Sequence, residues 1–182
     1  MSRTTAYRPA PEAISPAALD GILKDLVRAA QRAQEIGIEA VELHGAHGYL
    51  LHEFLSPVSN QRSDNYGGNF ENRIRFPLQV FEAVRQVYSG SLGMRLSATD
   101  WVEGGWTAED SIVFGRAIKA LGCDFIDVSS GGVSPKQQIT LGPKYQVPLA
   151  TQIKNGTGLL TMAVGLITEP QEAEDIIVNG EA

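Results

Sequence analysis

The sequence has one cysteine, no excess of basic residues and no long apolar run. The single cysteine, Cys123, allows no disulfide within the chain, so we expect a reducing, cytoplasmic location. No apolar segment approaches the roughly 18 residues of a transmembrane helix, and the N-terminal residues lack the apolar core of a secretory signal. The net charge is −6, whereas nucleic acids and anionic membranes usually bind a basic face. We therefore expect neither nucleic acid nor membrane as a partner.

The apolar residues that are present alternate between helical and strand spacing. They make up 43% of the chain, against 20% charged residues, which is the composition of a globular domain. Helical spacing covers residues 16–36, 71–88, 107–121 and 169–180, and strand-like runs cover 38–45, 92–99, 124–132 and 159–167. Residues 1–14 show no period. We predict a loose leader there, followed by one domain over residues 15–182.

Capping residues mark where two of the helices should begin. Thr107 is followed three residues later by Asp110, and Thr168 is followed in the same way by Gln171. Both pairs have the spacing of a capping box, in which the two residues satisfy each other's backbone N–H groups. Pro77 lies inside the second helical stretch and predicts either a kink or a later start.

The alternation of strands and helices predicts an α/β fold with a parallel sheet. Strands that are apolar throughout imply a sheet covered on both faces, as in a doubly wound sheet or a (β/α)₈ TIM barrel. No glycine-rich G-x-G-x-x-G turn follows the first strand, which counts against a dinucleotide-binding sheet. Polar residues instead fall near the C-terminal ends of strands, where a barrel builds its site: His44, Arg95, Ser129, Ser130 and Gly165.

A complete barrel has eight strands, and this sequence supplies about four. We therefore predict a partial TIM barrel, with about four parallel strands and their covering helices. Such a piece would expose two strand edges, so it should be unstable alone or require a partner.

The densest polar cluster is the segment 42–52, which contains three histidines and a tyrosine. His44 and His47 could be ordinary core or loop residues. Alternatively, they could share a metal ion, since imidazoles three residues apart can do so. As a third alternative, they could line a polar pocket, where two imidazoles donate hydrogen bonds to a substrate oxygen and Tyr49 delivers a proton. The residues alone leave these alternatives open.

An arginine in the middle of an apolar strand needs a partner, because an unpaired guanidinium there is costly. Arg95 stands in such a position, in the run 92–99. Asp100 and Asp127 are the nearest structural partners in the sequence. A bound anionic or accepting group is the functional alternative.

Several of these segments together resemble the old yellow enzyme family, in its NADPH-dehydrogenase-like branch. The resemblance runs through HGAHGYLLHEFLSPVSNQRSDNYGGNFENRIRFPL (44–78), MRLSATDWVEGGWTAEDS (94–111), DFIDVSSGG (124–132), YQVPLA (145–150) and AVGLIT (163–168). It covers nearly everything from residue 15 onward. Lys144 stands where relatives usually have glycine, and Asn69 where they usually have serine.

The resemblance implies an FMN-dependent barrel that takes hydride from NADPH or NADH and reduces activated alkenes such as enones. By this resemblance, His44 and His47 bind the substrate carbonyl oxygen and Tyr49 donates a proton. Arg95 would lie against the flavin pyrimidine and Gly165 near the FMN phosphate. The family's first three strands and its last strand are not in this sequence, so we expect a fragment. We leave open whether the complete protein is a homo-oligomer.

Three other functions stay open from the sequence. The chain could be a non-catalytic fragment that holds no flavin. It could be a flavin-free phosphate-binding barrel, although such enzymes ordinarily need a lysine or acid at a strand end, and Lys136 and Lys144 fall in a predicted loop. It could also be a metal hydrolase that uses His44 and His47, although we expect no bound metal.

Overall fold

Within the described part of the chain, four parallel strands form the frame, and six helices pack against it. The computed structural model describes residues 12–182. The strands are β1 (Ala40–Gly45), β2 (Ser91–Ser97), β3 (Phe125–Ser129) and β4 (Leu160–Ala163). The helices are α1 (Pro16–Glu35), α2 (Leu50–Leu55), α3 (Phe70–Val87), α4 (Ala108–Ala120), α5 (Val147–Thr157) and α6 (Pro170–Val178).

The strands lie side by side in the order in which they occur in the sequence. The sheet order is β1-β2-β3-β4, and every neighbouring pair is parallel. A doubly wound sheet would instead reverse its strand order at a switch point. Sequential order is that of a barrel wall, so the predicted α/β fold with about four strands of a (β/α)₈ barrel is confirmed.

The two faces of the sheet have different environments, because successive side chains of a strand point to opposite faces. On the outer face Met94, Leu96 and Val128 are fully buried against the helices. The inner face carries the polar residues of the three strands β1 to β3. It also carries Leu160 and Met162 of β4, which are 72% and 45% exposed. The chemistry predicted from the sequence therefore lies on the inner face and at its C-terminal edge.

One of the two predicted capping boxes is present and the other is wrong. The Thr107 side chain accepts from the Asp110 N–H, and the Asp110 carboxylate accepts from the Thr107 N–H, so both halves of the box at α4 are formed. Helix α6 instead begins at Pro170, and its N-cap, Glu169, makes no side-chain cap. Proline is favoured at the first helical position because its missing N–H would be unpaired there. That preference places the start two residues beyond Thr168.

Helix α3 runs without interruption through Pro77, so the predicted later start is wrong. Its N-cap is Asn69, whose side chain accepts from the Asn72 N–H. The six-residue helix α2 and helix α5 were not located from apolar spacing. Of the predicted leader, residues 1–11 lie outside the described part of the chain. No helix within residues 12–182 is both long and apolar enough to cross a membrane.

Candidate active site

Three predicted site residues meet at the C-terminal end of β1. The ring of His44 lies 5.3 Å from that of His47 and 5.2 Å from that of Tyr49, measured between centroids. His44 is the fifth residue of β1 on the inner face, and the other two lie on the loop that joins β1 to α2. Tyr49 is 64% exposed, so its phenol is accessible. Two imidazoles and one phenol therefore face a common space.

The loop between β1 and α2 has an unusual backbone that brings these rings together. His47 has φ 58° and Gly48 has φ 74°, so two successive residues adopt the left-handed region. The His47 N–H donates to the Ser97 hydroxyl at 2.9 Å, and that hydroxyl donates to the Gly131 carbonyl at 2.7 Å. A β-carbon at Gly132 would lie 2.4 Å from the Cα of His47. The ends of β2 and β3 thus hold the His47 backbone in close packing.

Both imidazoles are biased toward the neutral form. Burial, and next the Arg95 guanidinium, lower the pKa of His44 and the pKa of His47 below the usual value. The His47 Nε2 lies 2.6 Å from the Ser129 hydroxyl at the end of β3. A neutral imidazole has one N–H donor and one acceptor nitrogen, so its partner determines which nitrogen can face a ligand.

Arg95 pairs with Asp127, which is its direct neighbour in the β2–β3 register. Arg95 Nη1 lies 3.1 Å from Asp127 Oδ2, and Asp100, the other partner suggested by the sequence, is used elsewhere. The pairing is incomplete, because Arg95 Nε and Asp127 Oδ1 are buried without a hydrogen-bond partner. Burial raises the pKa of Asp127 against the lowering effect of Arg95. Arg95 Nε is thus a buried donor to which the described residues supply no acceptor.

Gly165 lies two residues beyond the end of β4, three strands away from β1. Its φ of 111° is one that residues with a β-carbon rarely adopt. A β-carbon there would lie 2.8 Å from Gln146 Nε2 and 2.9 Å from the Tyr145 ring. Gln146 Oε1 in turn accepts from the Ser130 hydroxyl at 2.5 Å. The predicted cofactor residue is thus packed against a polar network that begins at the end of β3.

A buried network beneath the β1–α2 loop was missed by sequence reasoning. His52 and Asp100 are completely buried and lie 2.9 Å apart, Nε2 to Oδ1. Asp100 Oδ2 also accepts from the Ser56 hydroxyl and from the Trp106 N–H. His52 Nδ1 accepts from the Gly48 N–H at 2.9 Å. His52 was visible in the sequence cluster, but its partners lie in another loop, and only the fold brings them together.

Other charged and reactive side chains are paired, buried or located in loops. Arg62 and Asp64 form a pair with two hydrogen bonds within their loop. Cys123 is buried, and burial raises the pKa of its thiol to about 12. Within residues 12–182, no group of three or more metal-ligating side chains is suited to hold a metal ion. No strand in that range carries a lysine, and Lys136 and Lys144 lie in the loop between β3 and α5.

The chain is similar to known proteins over most of its length. The chain is 44% identical, over 172 residues, to an NADPH dehydrogenase of Listeria innocua, and the match covers 94% of this chain and 51% of that protein. The structure of morphinone reductase in complex with tetrahydroNAD superposes with a TM-score of 0.75 at 26% identity, covering 94% of this chain and 45% of that one. A 2-naphthoyl-CoA reductase complex superposes with a TM-score of 0.84 at 28% identity. The match covers 93% of this chain and 27% of that one.

The chain spans about half the length of the curated relatives it matches. Within that span the match is nearly continuous. Residues 3–182 match the family described as NADH:flavin oxidoreductase / NADH oxidase. The site at the C-terminal edge of the sheet and the strand order agree with the same assignment. The chain therefore belongs to the NADH:flavin oxidoreductase / NADH oxidase family.

Proposed function

We propose that this chain carries the substrate-binding and proton-donating part of an FMN-dependent, NAD(P)H-consuming reductase of activated C=C bonds. Membership of the family implies FMN as the cofactor and NADPH or NADH as the electron donor. The substrate we propose is an α,β-unsaturated carbonyl compound. The observation that carries the proposal is the convergence of three rings at the edge of the inner face, where the His44 centroid lies 5.3 Å from that of His47 and 5.2 Å from that of Tyr49.

The residues of the inner face fit a flavin. Arg95 Nε is a buried donor without a partner, and a pyrimidine carbonyl of FMN would supply the acceptor it lacks. Gly165 would lie near the FMN phosphate, and its φ of 111° is one that favours glycine at that point of the chain. When bound, FMN supplies the hydride that it has received from NADPH or NADH.

His44 and His47 would bind the carbonyl oxygen of the substrate. Negative charge grows on that oxygen during alkene reduction, and two fixed N–H donors stabilise it as an oxyanion hole does. The lowered pKa of each imidazole favours neutral donors. Because the Ser129 hydroxyl can donate to His47 Nε2, the Nδ1 of His47 can keep its proton and donate it in a hydrogen bond to the substrate.

Tyr49 would protonate the α-carbon. A phenol stays protonated at neutral pH because its ordinary pKa is near 10. Tyr49 precedes α2 as its N-cap residue, so its position is determined by the loop that also carries His47. The exposed phenol next to the His44 ring is within reach of a molecule held by the two imidazoles.

The proposal is tested by Tyr49→Phe in a flavin-loaded protein that has the full length of the curated relatives. Reduction of the flavin by NAD(P)H should stay nearly unchanged, because that half-reaction takes no proton from Tyr49. Reduction of an enone should slow by roughly 10²–10⁴-fold, the usual contribution of a general acid. Stopped-flow absorbance at the flavin band measures the two half-reactions separately.

Tyr66→Phe is the matched control, because Tyr66 packs against Phe54 and Phe76 away from the site. It should change neither half-reaction. Equal slowing of both half-reactions by Tyr49→Phe would show that Tyr49 is structural. If the protein of full length shows no flavin absorbance and gains none with added FMN, the alternative of a non-catalytic chain replaces this proposal. The cytoplasmic location stays a prediction, and the oligomeric state stays open.

A further inference from the structure

We propose that His52, held by Asp100, is a positioning residue for the loop that presents His47 and Tyr49. The inference deepens the function proposed above and rests on it. It concerns a residue that contacts neither substrate nor flavin in that proposal. His52 acts through one backbone atom, the N–H of Gly48, which lies between the two site residues.

The direction of each hydrogen bond in this network follows from its chemistry. A backbone N–H can only donate, so the Gly48 N–H requires a lone pair on His52 Nδ1. The proton of the neutral ring must then be on Nε2, which donates to Asp100 Oδ1 at 2.9 Å. Asp100 accepts three hydrogen bonds in all, from His52, Ser56 and the Trp106 N–H. The tautomer of His52 is therefore determined by its surroundings.

The loop needs this support because its backbone conformation is unfavourable. His47 has φ 58°, where a residue with a β-carbon is strained, and Gly48 follows with φ 74°. The surroundings must maintain two such residues in succession. Ser97 holds the N–H of His47, and His52 holds the N–H of Gly48. The two bonds fix consecutive peptide groups, and so fix where both site side chains emerge.

Asp100 connects this loop to the rest of the fold. It follows β2 and contacts α2 at both ends, through His52 near the start and through the C-cap residue Ser56. All three side chains are completely buried. Since neither of the two ring nitrogens of His52 is free, His52 cannot serve as a metal ligand or as a proton donor to substrate in this arrangement. Its contribution is geometric.

Two substitutions separate the two bonds of His52. His52→Asn places an amide oxygen where Nδ1 stands and keeps an acceptor for the Gly48 N–H, whereas His52→Gln keeps a donor for Asp100 and loses that acceptor. We expect His52→Gln to slow enone reduction by roughly 10²-fold, the cost of misplacing reacting groups by about 1 Å, with flavin reduction by NAD(P)H nearly unchanged. His52→Asn should restore most of the rate. Ile118→Ala, a fully buried change in α4, is the control for general loss of stability.

Two readouts do not depend on activity. The imidazole ¹⁵N shifts of His52 should show an unprotonated Nδ1 and a protonated Nε2. Exchange of the Gly48 amide should accelerate at least about tenfold in His52→Gln but not in His52→Asn. The opposite tautomer, or Asn and Gln variants that behave alike, would overturn the inference. If the protein reduces no alkene, the proposed function fails, while the tautomer and the exchange at Gly48 still decide the role of His52.

Discussion

Arg95 has one guanidinium nitrogen paired with Asp127 and another buried without a partner. A unit charge about 4 Å from a developing charge is worth up to about 4 kcal/mol at an effective dielectric near 20. For a two-electron couple, about 30 mV corresponds to about 1.4 kcal/mol. Arg95→Met should therefore lower the midpoint potential of bound flavin by tens of millivolts, below a limit of about 90 mV. Redox titration of the folded variant measures the shift.

Asp127→Asn, which changes the other partner of the ion pair, should shift the midpoint potential in the opposite direction. It removes the negative charge that lies 3.1 Å from the Arg95 Nη1 and leaves the cation in place. The midpoint potential should then rise, because the guanidinium acts on the flavin with less compensation. If Arg95→Met and Asp127→Asn both lower the melting temperature and leave the midpoint potential unchanged, the ion pair is purely structural. Arg95 would then not belong to the flavin site.

Lys144 has a backbone conformation that suits glycine. Its φ is 60°, in the left-handed region, which residues with a β-carbon rarely adopt. Its ammonium lies 4.0 Å from Glu172, a partly exposed pair that contributes little. Lys144→Gly should be more stable than Lys144→Ala by about 1 kcal/mol, because both lose the ion pair but only alanine keeps a β-carbon. Chemical denaturation of the two variants measures the difference, and equal stabilities would contradict the argument.

At the scale of single elements, the two threonines predicted as caps provide a direct contrast. Thr107 caps α4 through a complete capping box, whereas Thr168 lies outside α6 and its side chain makes no cap. Thr107→Ala should lower the free energy of unfolding by about 1 kcal/mol. Thr168→Ala should change it by less than about 0.5 kcal/mol, as is usual for a surface substitution. Thermal denaturation of both variants under identical conditions measures the two changes. Equal losses of stability would mean that the Thr168 side chain stabilises the fold through a contact other than a cap.

The elements that sequence reasoning located are those whose signals are local. The strands around His44 and Arg95 could be predicted because each is an apolar run flanked by turn residues. Each observed strand is shorter than the predicted run. Helix α2 was missed because six residues are too few to show a helical period. The start of α6 was misplaced because Thr168 matched a cap, while Pro170 set the first helical position.

The site was predictable only in part, for the same reason. His44, His47 and Tyr49 lie within six residues of each other, so their proximity could be anticipated. Asp127 could be named as a partner of Arg95 because adjacent strands bring such residues side by side. The bond between His52 and Asp100 joins residues 48 positions apart, through a loop whose path the sequence pattern does not indicate. Long-range polar networks of this kind require coordinates.

At the scale of the whole molecule, one side of the sheet is covered by helices and the other is open. The outer face buries Leu92, Met94 and Ile126 completely. On the inner face, Leu160 is 72% exposed and Met162 is 45% exposed. Within residues 12–182, β1 and β4 each have a neighbouring strand on one side only. Unpaired strand edges and exposed apolar residues both favour association with other polypeptide chains.

The chain of residues 1–182, expressed alone, should therefore self-associate and bind FMN weakly or not at all. Its apolar inner residues would be buried between copies, and its edge strands would pair with other edges. Leu160→Lys combined with Met162→Lys should reduce the size of the assemblies, because burial of two lysines on that face is costly. Light scattering after size exclusion measures the size, and flavin fluorescence titration measures the binding. A monomer with one FMN per chain and a cooperative melt would show instead that four strands suffice to cover the flavin, and the open inner face would then be the cofactor site itself.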